Sequence, residues 1–172
     1  SLRGISVSQT FQGWRTVAAH LKKLAQDTTI VLNDGQRWSL RKIAARLPEN
    51  GLVLADEVGM GKTIQAGFVM RQLLLDGPGR RIGVIVPDAL IAQWRAELLD
   101  KFYLDDFPVA GGALPFEIVG HSEITRWGEL IGVELLVIDE AHLVARANGP
   151  KDSPYRELAS LAHATPRLLM LS

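Results

Sequence analysis

No cysteine occurs among the 172 residues. Disulfide-stapled scaffolds and thiolate metal sites are therefore excluded, and a cytoplasmic setting is the default expectation. No apolar run approaches the ~20 residues needed to cross a bilayer, so no membrane partner is expected. An excess of either charge is also lacking: Lys plus Arg and Asp plus Glu number 19 each. Net charge thus gives no argument for nucleic acid, and such a partner has to show itself in local features. Internal repeats and low-complexity tracts are missing. There is no basic-then-apolar leader, and Ser1 rather than Met stands first, which reads as an excised piece of a longer chain.

What is present is a high hydrophobic fraction, 47%, concentrated in short runs. Five of them predict interior strands: GLVLA (51–55), RIGVIVP (81–87), FEIVG (116–120), ELLVIDE (134–140) and RLLMLS (167–172). Each is rich in Val, Ile and Leu without strict alternation, as in a parallel sheet covered on both faces. Helical segments are expected between them at 62–75, 88–101, 121–130 and 153–163, separated by Gly- and Pro-containing breaks. Strands alternating with helices predict an α/β domain with a mostly parallel sheet and helices on both faces.

Two further stripes precede the first strand. Leu40, Ile43, Ala44 and Leu47 recur at helical spacing, as do Trp14, Val17, Ala18, Leu21 and Leu24. Residues 1–32 carry no readable chemistry. They are expected to be an accessory segment, either part of a preceding domain or an added helix.

The chemistry concentrates at ADEVGMGKT (55–63), between the first strand and a helix. Gly59 and Gly61 let the backbone bend so that successive N–H groups converge on phosphate oxygens. The following helix starts near Lys62, and its positive dipole end faces the same anion. Lys62 is placed to reach the β and γ phosphates and the Thr63 hydroxyl to reach Mg²⁺. The loop is Asp56, Glu57, Val58, Gly59, Met60, Gly61, Lys62, Thr63; Asp56 stands where the usual phosphate loop begins with glycine. Downstream, LLVIDEAH (135–142) ends an apolar strand in two acids, which delivers carboxylates to the sheet edge where ligands bind in open α/β folds.

DEVGMGKT resembles motif I of superfamily-two helicases and translocases, and most closely the Swi/Snf-like branch of the bacterial RNA-polymerase-recycling type. An acidic pair before the loop is normal there. The resemblance covers residues 33–172 and implies the first RecA-like ATP-binding lobe, a P-loop domain. It implies that Asp139 holds Mg²⁺, that Glu140 orients and deprotonates the attacking water, and that His142 senses the γ-phosphate and couples it to nucleic acid. Gln36 matches the glutamine that reads adenine. VIVPDALIAQWRAEL (84–98) resembles motif Ia, with Pro87 and Gln93 as candidate nucleic-acid contacts and Trp94 as core packing. RLLMLS resembles the strand entering motif III, inside which Ser172 falls.

From this resemblance the expected function is ATP hydrolysis coupled to movement on DNA, duplex and without sequence preference, in a bacterial cytoplasmic protein. The catalytic set is Lys62, Asp139 and Glu140, working with ATP and Mg²⁺. Arginine fingers would come from a second RecA-like lobe beyond Ser172, so the 172 residues alone are expected to bind ATP weakly and hydrolyse it little. The alternative is a regulatory P-loop switch acting through protein partners without nucleic acid. A degenerate scaffold is disfavoured by the intact Lys62, Thr63, Asp139 and Glu140.

Overall fold

Five strands form where the Val/Ile/Leu runs predict them: β1 (Leu52–Ala55), β2 (Ile82–Val86), β3 (Phe116–Gly120), β4 (Leu135–Asp139) and β5 (Arg167–Leu171). The computed structural model describes residues 11–49, 51–55, 62–144 and 154–172, apart from the Tyr155 side chain. The strands pair in parallel in the order β1-β5-β4-β2-β3. Among the described residues five α-helices accompany them: α1 (Trp14–Gln26), α2 (Asp34–Arg46), α3 (Lys62–Asp76), α4 (Ile91–Asp100) and α5 (Pro154–His163).

Successive side chains on a strand point to opposite faces, and β4 shows why its run is apolar throughout. Leu135 and Val137 join a core built with α1 to α4, while Leu136 and Ile138 join a second core on the other face. That second core is closed by Trp127 and Leu130, from a 3₁₀ segment (Ile124–Leu130), and by Leu158 and Leu161 of α5. The 3₁₀ segment replaces the α-helix expected at 121–130. The Trp127 indole N–H donates to the Gly120 carbonyl at 3.2 Å, drawing the segment tightly back against β3. On β1 only one face is covered among the described residues: Leu52 and Leu54 remain exposed.

Helix α2 opens with a capping box. The Asn33 side chain accepts from the Gln36 N–H at 2.8 Å, and the Gln36 side chain accepts from the Asn33 N–H at 3.0 Å. Helices α3 and α4 close on Phe102. A Cβ placed on Gly67 would overlap its ring, so that position takes glycine for space.

The stripe read at residues 14–25 is α1, and it shares the core of α2 and α3. Trp14, Val17, Ala18 and Leu21 are buried there. At the opposite end of the chain Arg167 ties the same region down. Its guanidinium donates to the Leu47 and Pro48 carbonyls at 2.6 and 3.0 Å and lies over the Trp14 ring. The Trp14 indole in turn donates to Glu134 at 3.0 Å.

Candidate nucleotide-binding site

Lys62 is the first residue of α3, and Asp139 is the last of β4. They are far apart in sequence, yet the Lys62 ammonium forms an ion pair with Glu140 Oε1 and lies 3.8 Å from Asp139 Oδ1. The lysine-threonine pair and the acid pair expected to share one ligand thus meet in space. They line one cleft of about 470 Å³ together with Ile64, Leu90, Gln93, Trp94, Glu97 and Lys101. Asp56, Glu57, Val58, Gly59, Met60 and Gly61 lie outside the described residues.

Glu140 leaves the strand abruptly, with φ 51° and ψ 48°. A side chain in this left-handed region costs about 1–3 kcal/mol, and such residues persist only where their surroundings hold them. Here the Glu140 N–H donates to the Leu171 carbonyl of β5 at 3.0 Å, and the carboxylate is shared between Lys62 and His142. The His142 Nε2 lies 3.2 Å from Glu140 Oε2, with its ring otherwise exposed.

Asp139 is 4% exposed. Burial pushes its carboxyl above the usual range, opposed first by the Lys62 charge, while the neighbouring Glu140 charge adds to the rise. The nearby Trp94 indole N–H also works against the rise. One oxygen, Oδ1, has no hydrogen-bond partner among the described residues although it is buried. A buried acceptor left unmade costs about 1–3 kcal/mol, so a native structure retains one for a reason.

That orphaned oxygen, beside a threonine and a lysine in an open cleft, fits Mg²⁺ bound with a nucleotide. Mg²⁺ keeps several waters and is held by one or two carboxylates plus substrate phosphates rather than by a protein cage.

The weaker sequence candidates fall as follows. Gln93, read as a nucleic-acid contact, lines the nucleotide cleft. Pro87 ends β2 and starts a 3₁₀ turn (Asp88–Leu90). Gln36 is half-buried, with its side-chain oxygen engaged in the α2 capping box. The place of Trp94 in the cleft beside Asp139 was not legible, since a tryptophan on an apolar stripe reads as packing. His121 is a second residue without a sequence signal: it is buried, and its Nε2 lies 2.7 Å from the Asp139 carbonyl oxygen.

A parallel α/β sheet that gathers a helix-initial Lys-Thr pair and a strand-final acid pair at its carboxyl edge defines the RecA-like nucleotide-binding class. The SNF2-related domain family matches residues 14–110, more than half of the sequence, and the chain belongs to that family. It is 37% identical over 141 residues to an RNA polymerase-associated protein RapA of Pectobacterium carotovorum, an alignment covering 70% of this chain and 15% of that one. A RapA of Serratia proteamaculans is 34% identical, with 94% of this chain and 18% of the relative covered. The chain thus spans less than a fifth of the length of these curated relatives. Among solved structures, the Sulfolobus solfataricus SWI2/SNF2 ATPase core in complex with dsDNA superposes with a TM-score of 0.63 at 21% identity, covering 83% of this chain and 32% of that one. The RecA-like fold and the Swi/Snf-like affinity expected from the sequence are both borne out.

Proposed function

We propose that this chain is the front ATP-binding lobe of a DNA-dependent ATPase that converts ATP hydrolysis into movement along a duplex. The observation that carries the proposal is the meeting of Lys62 with Asp139 and Glu140 in one cleft. Family membership supplies the wider context, and the relatives named above are associated with RNA polymerase or solved on double-stranded DNA. Contact with both is proposed for this protein as well. The second lobe, an arginine finger and a bacterial cytoplasmic location belong to the same proposal.

Each side chain has a definite task. Lys62 exchanges Glu140 for the β and γ phosphate oxygens, which carry more charge than one carboxylate. Thr63 and Asp139 would hold Mg²⁺, the latter through its unpartnered Oδ1. When bound, that ion would neutralise charge on the phosphate oxygens and leave the γ-phosphorus more open to attack. Glu140, released from Lys62, accepts the proton of the water that attacks the γ-phosphorus. His142 stays on the second carboxylate oxygen and restrains its rotation. Trp94 lines the same cleft beside Asp139 and favours its charged form. The Gly-x-Gly-Lys-Thr sequence at 59–63 is that of a phosphate-binding turn, and Gln36 reads the adenine edge.

The test is a comparison of Glu140→Gln with Lys62→Ala in the full-length protein. Glu140→Gln is expected to bind Mg-ATP while losing hydrolysis by 10²-fold or more, the range for a missing general base. Lys62→Ala is expected to lose both binding and hydrolysis. Undiminished turnover by Glu140→Gln overturns the assignment of the base. Duplex binding that falls steeply with salt is expected, since neutralised phosphates release counterions; salt-insensitive or absent binding overturns the DNA assignment.

A further inference from the structure

His121 lies immediately after β3, is 2% exposed and places Nε2 2.7 Å from the Asp139 carbonyl oxygen. A carbonyl oxygen only accepts, so the imidazole donates and Nε2 carries the proton. The bond is unusual in its path. In the sheet β2 lies between β3 and β4, so the His121 side chain reaches past the end of β2 to the strand beyond it.

The sequence explains why room and need exist there. The His121 N–H donates to the Val86 carbonyl at 2.8 Å, and the Glu140 N–H donates to Leu171 at 3.0 Å. With Ile85 opposite Ile138, these two bonds fix the alternation of the parallel ladder. The next amide of β2 able to reach the Asp139 carbonyl is that of residue 87, and Pro87 has no N–H. The imidazole supplies the bond that the ladder lacks. It does so one peptide before Glu140, the residue with φ 51°.

We infer that His121 is a positioning residue: by completing the ladder at Asp139 in place of Pro87, it fixes the Asp139–Glu140 peptide and thereby the direction of the Glu140 carboxylate. The inference rests on the proposed role of Glu140 as base. It also gives the loop after β3 a mechanical hold on that base. The same loop is bound to the loop after β2, since the Ser122 hydroxyl and N–H both donate to Asp88. A shift of either loop therefore reaches the Asp139–Glu140 peptide through one imidazole.

The experiment uses the full-length protein and three forms: wild type, His121→Leu, which keeps apolar volume without a donor, and His121→Gln, whose amide restores one. Amide hydrogen exchange without nucleotide is measured alongside Mg-ATP affinity and turnover. His121→Leu is expected to raise exchange at the Glu140 amide about tenfold, the scale of one lost hydrogen bond, while β2 and β3 amides keep their protection. Its turnover is expected to fall about tenfold or more with ATP affinity within about threefold, and His121→Gln is expected to recover most of both losses. Two results overturn the inference: wild-type turnover and Glu140 protection in His121→Leu, or a loss of protection spread evenly over the sheet, which marks a merely structural role. A wild-type protein that neither binds nor hydrolyses ATP refutes the proposed function instead, and the exchange measurement still decides whether His121 holds the peptide.

Discussion

Replacing Lys62 with Ala should destabilise the apo protein in a manner that depends on pH. Lys62 lies 3.8 Å from Asp139 Oδ1 and pairs with Glu140, and the three side chains are 16%, 6% and 25% exposed. At an effective dielectric near 20, one charge pair at that separation is worth about 4 kcal/mol before desolvation and relaxation. Removing the cation leaves two neighbouring carboxylates, one of them buried, and uncompensated buried charge is the costly outcome. Asp139 can escape by taking up a proton, which caps the net loss near ~2 kcal/mol at pH 7.5. Burial already holds the Asp139 carboxyl above its usual range, with Lys62 the chief opposing influence, so the variant raises it further. A carboxyl raised on folding favours the folded state below its unfolded pKa, and that advantage is lost as pH rises through the folded value. The gap between wild type and Lys62→Ala should therefore be small near pH 4 and widen toward pH 7.5. Urea titrations of the 172-residue chain at both pH values measure it, and Lys62→Ala combined with Asp139→Asn should recover most of the loss. A gap independent of pH, or a double variant no better than the single one, refutes the reasoning.

Gly67→Ala forces a methyl into the Phe102 ring and should cost about 1–3 kcal/mol of stability by overpacking. Phe102→Leu in the same chain should relieve part of that cost in thermal melts. Asn33→Ala removes one half of the α2 capping box and should cost about 1 kcal/mol. Gln36→Ala is informative beyond its smaller effect on the cap: if Gln36 reads adenine, the variant should narrow the preference for ATP over GTP in a competition assay. Trp94→Phe keeps an aromatic ring beside Asp139 but removes the indole N–H that opposes the rise of its carboxyl. It should weaken Mg²⁺-dependent nucleotide binding severalfold, and titration of Mg²⁺ at fixed nucleotide reads that directly.

The strands were legible because their positions are almost all apolar, and the central ones are buried on both faces. β4 reads LLVID from end to end, and its five residues are buried in fact. The phosphate-binding lysine was legible for a different reason: helix start, glycine turn and hydroxyl each have one chemical purpose in that order. The 3₁₀ form of Ile124–Leu130 was not legible. Its apolar residues are those of a helix, and the tightening depends on a Trp127 bond to β3 that no local pattern contains. His121 was equally silent. Its role exists only once β2 and β4 are in register and the amide facing Asp139 proves to be a proline. Trp94 shows the general limit, because packing and a polar role of one indole look alike until its neighbour is known.

The Arg167 clamp has a practical consequence for anyone trimming this protein. A shorter version starting at residue 33, where the family motifs begin, would strip Trp14 from beneath that guanidinium and leave the seat of Val17 and Leu21 on α2 and α3 open to water. Such a piece should come out of cells in inclusion bodies even though every nucleotide-handling side chain remains in it. Cloning boundaries drawn from motifs alone would thus discard the buttress and keep the arch.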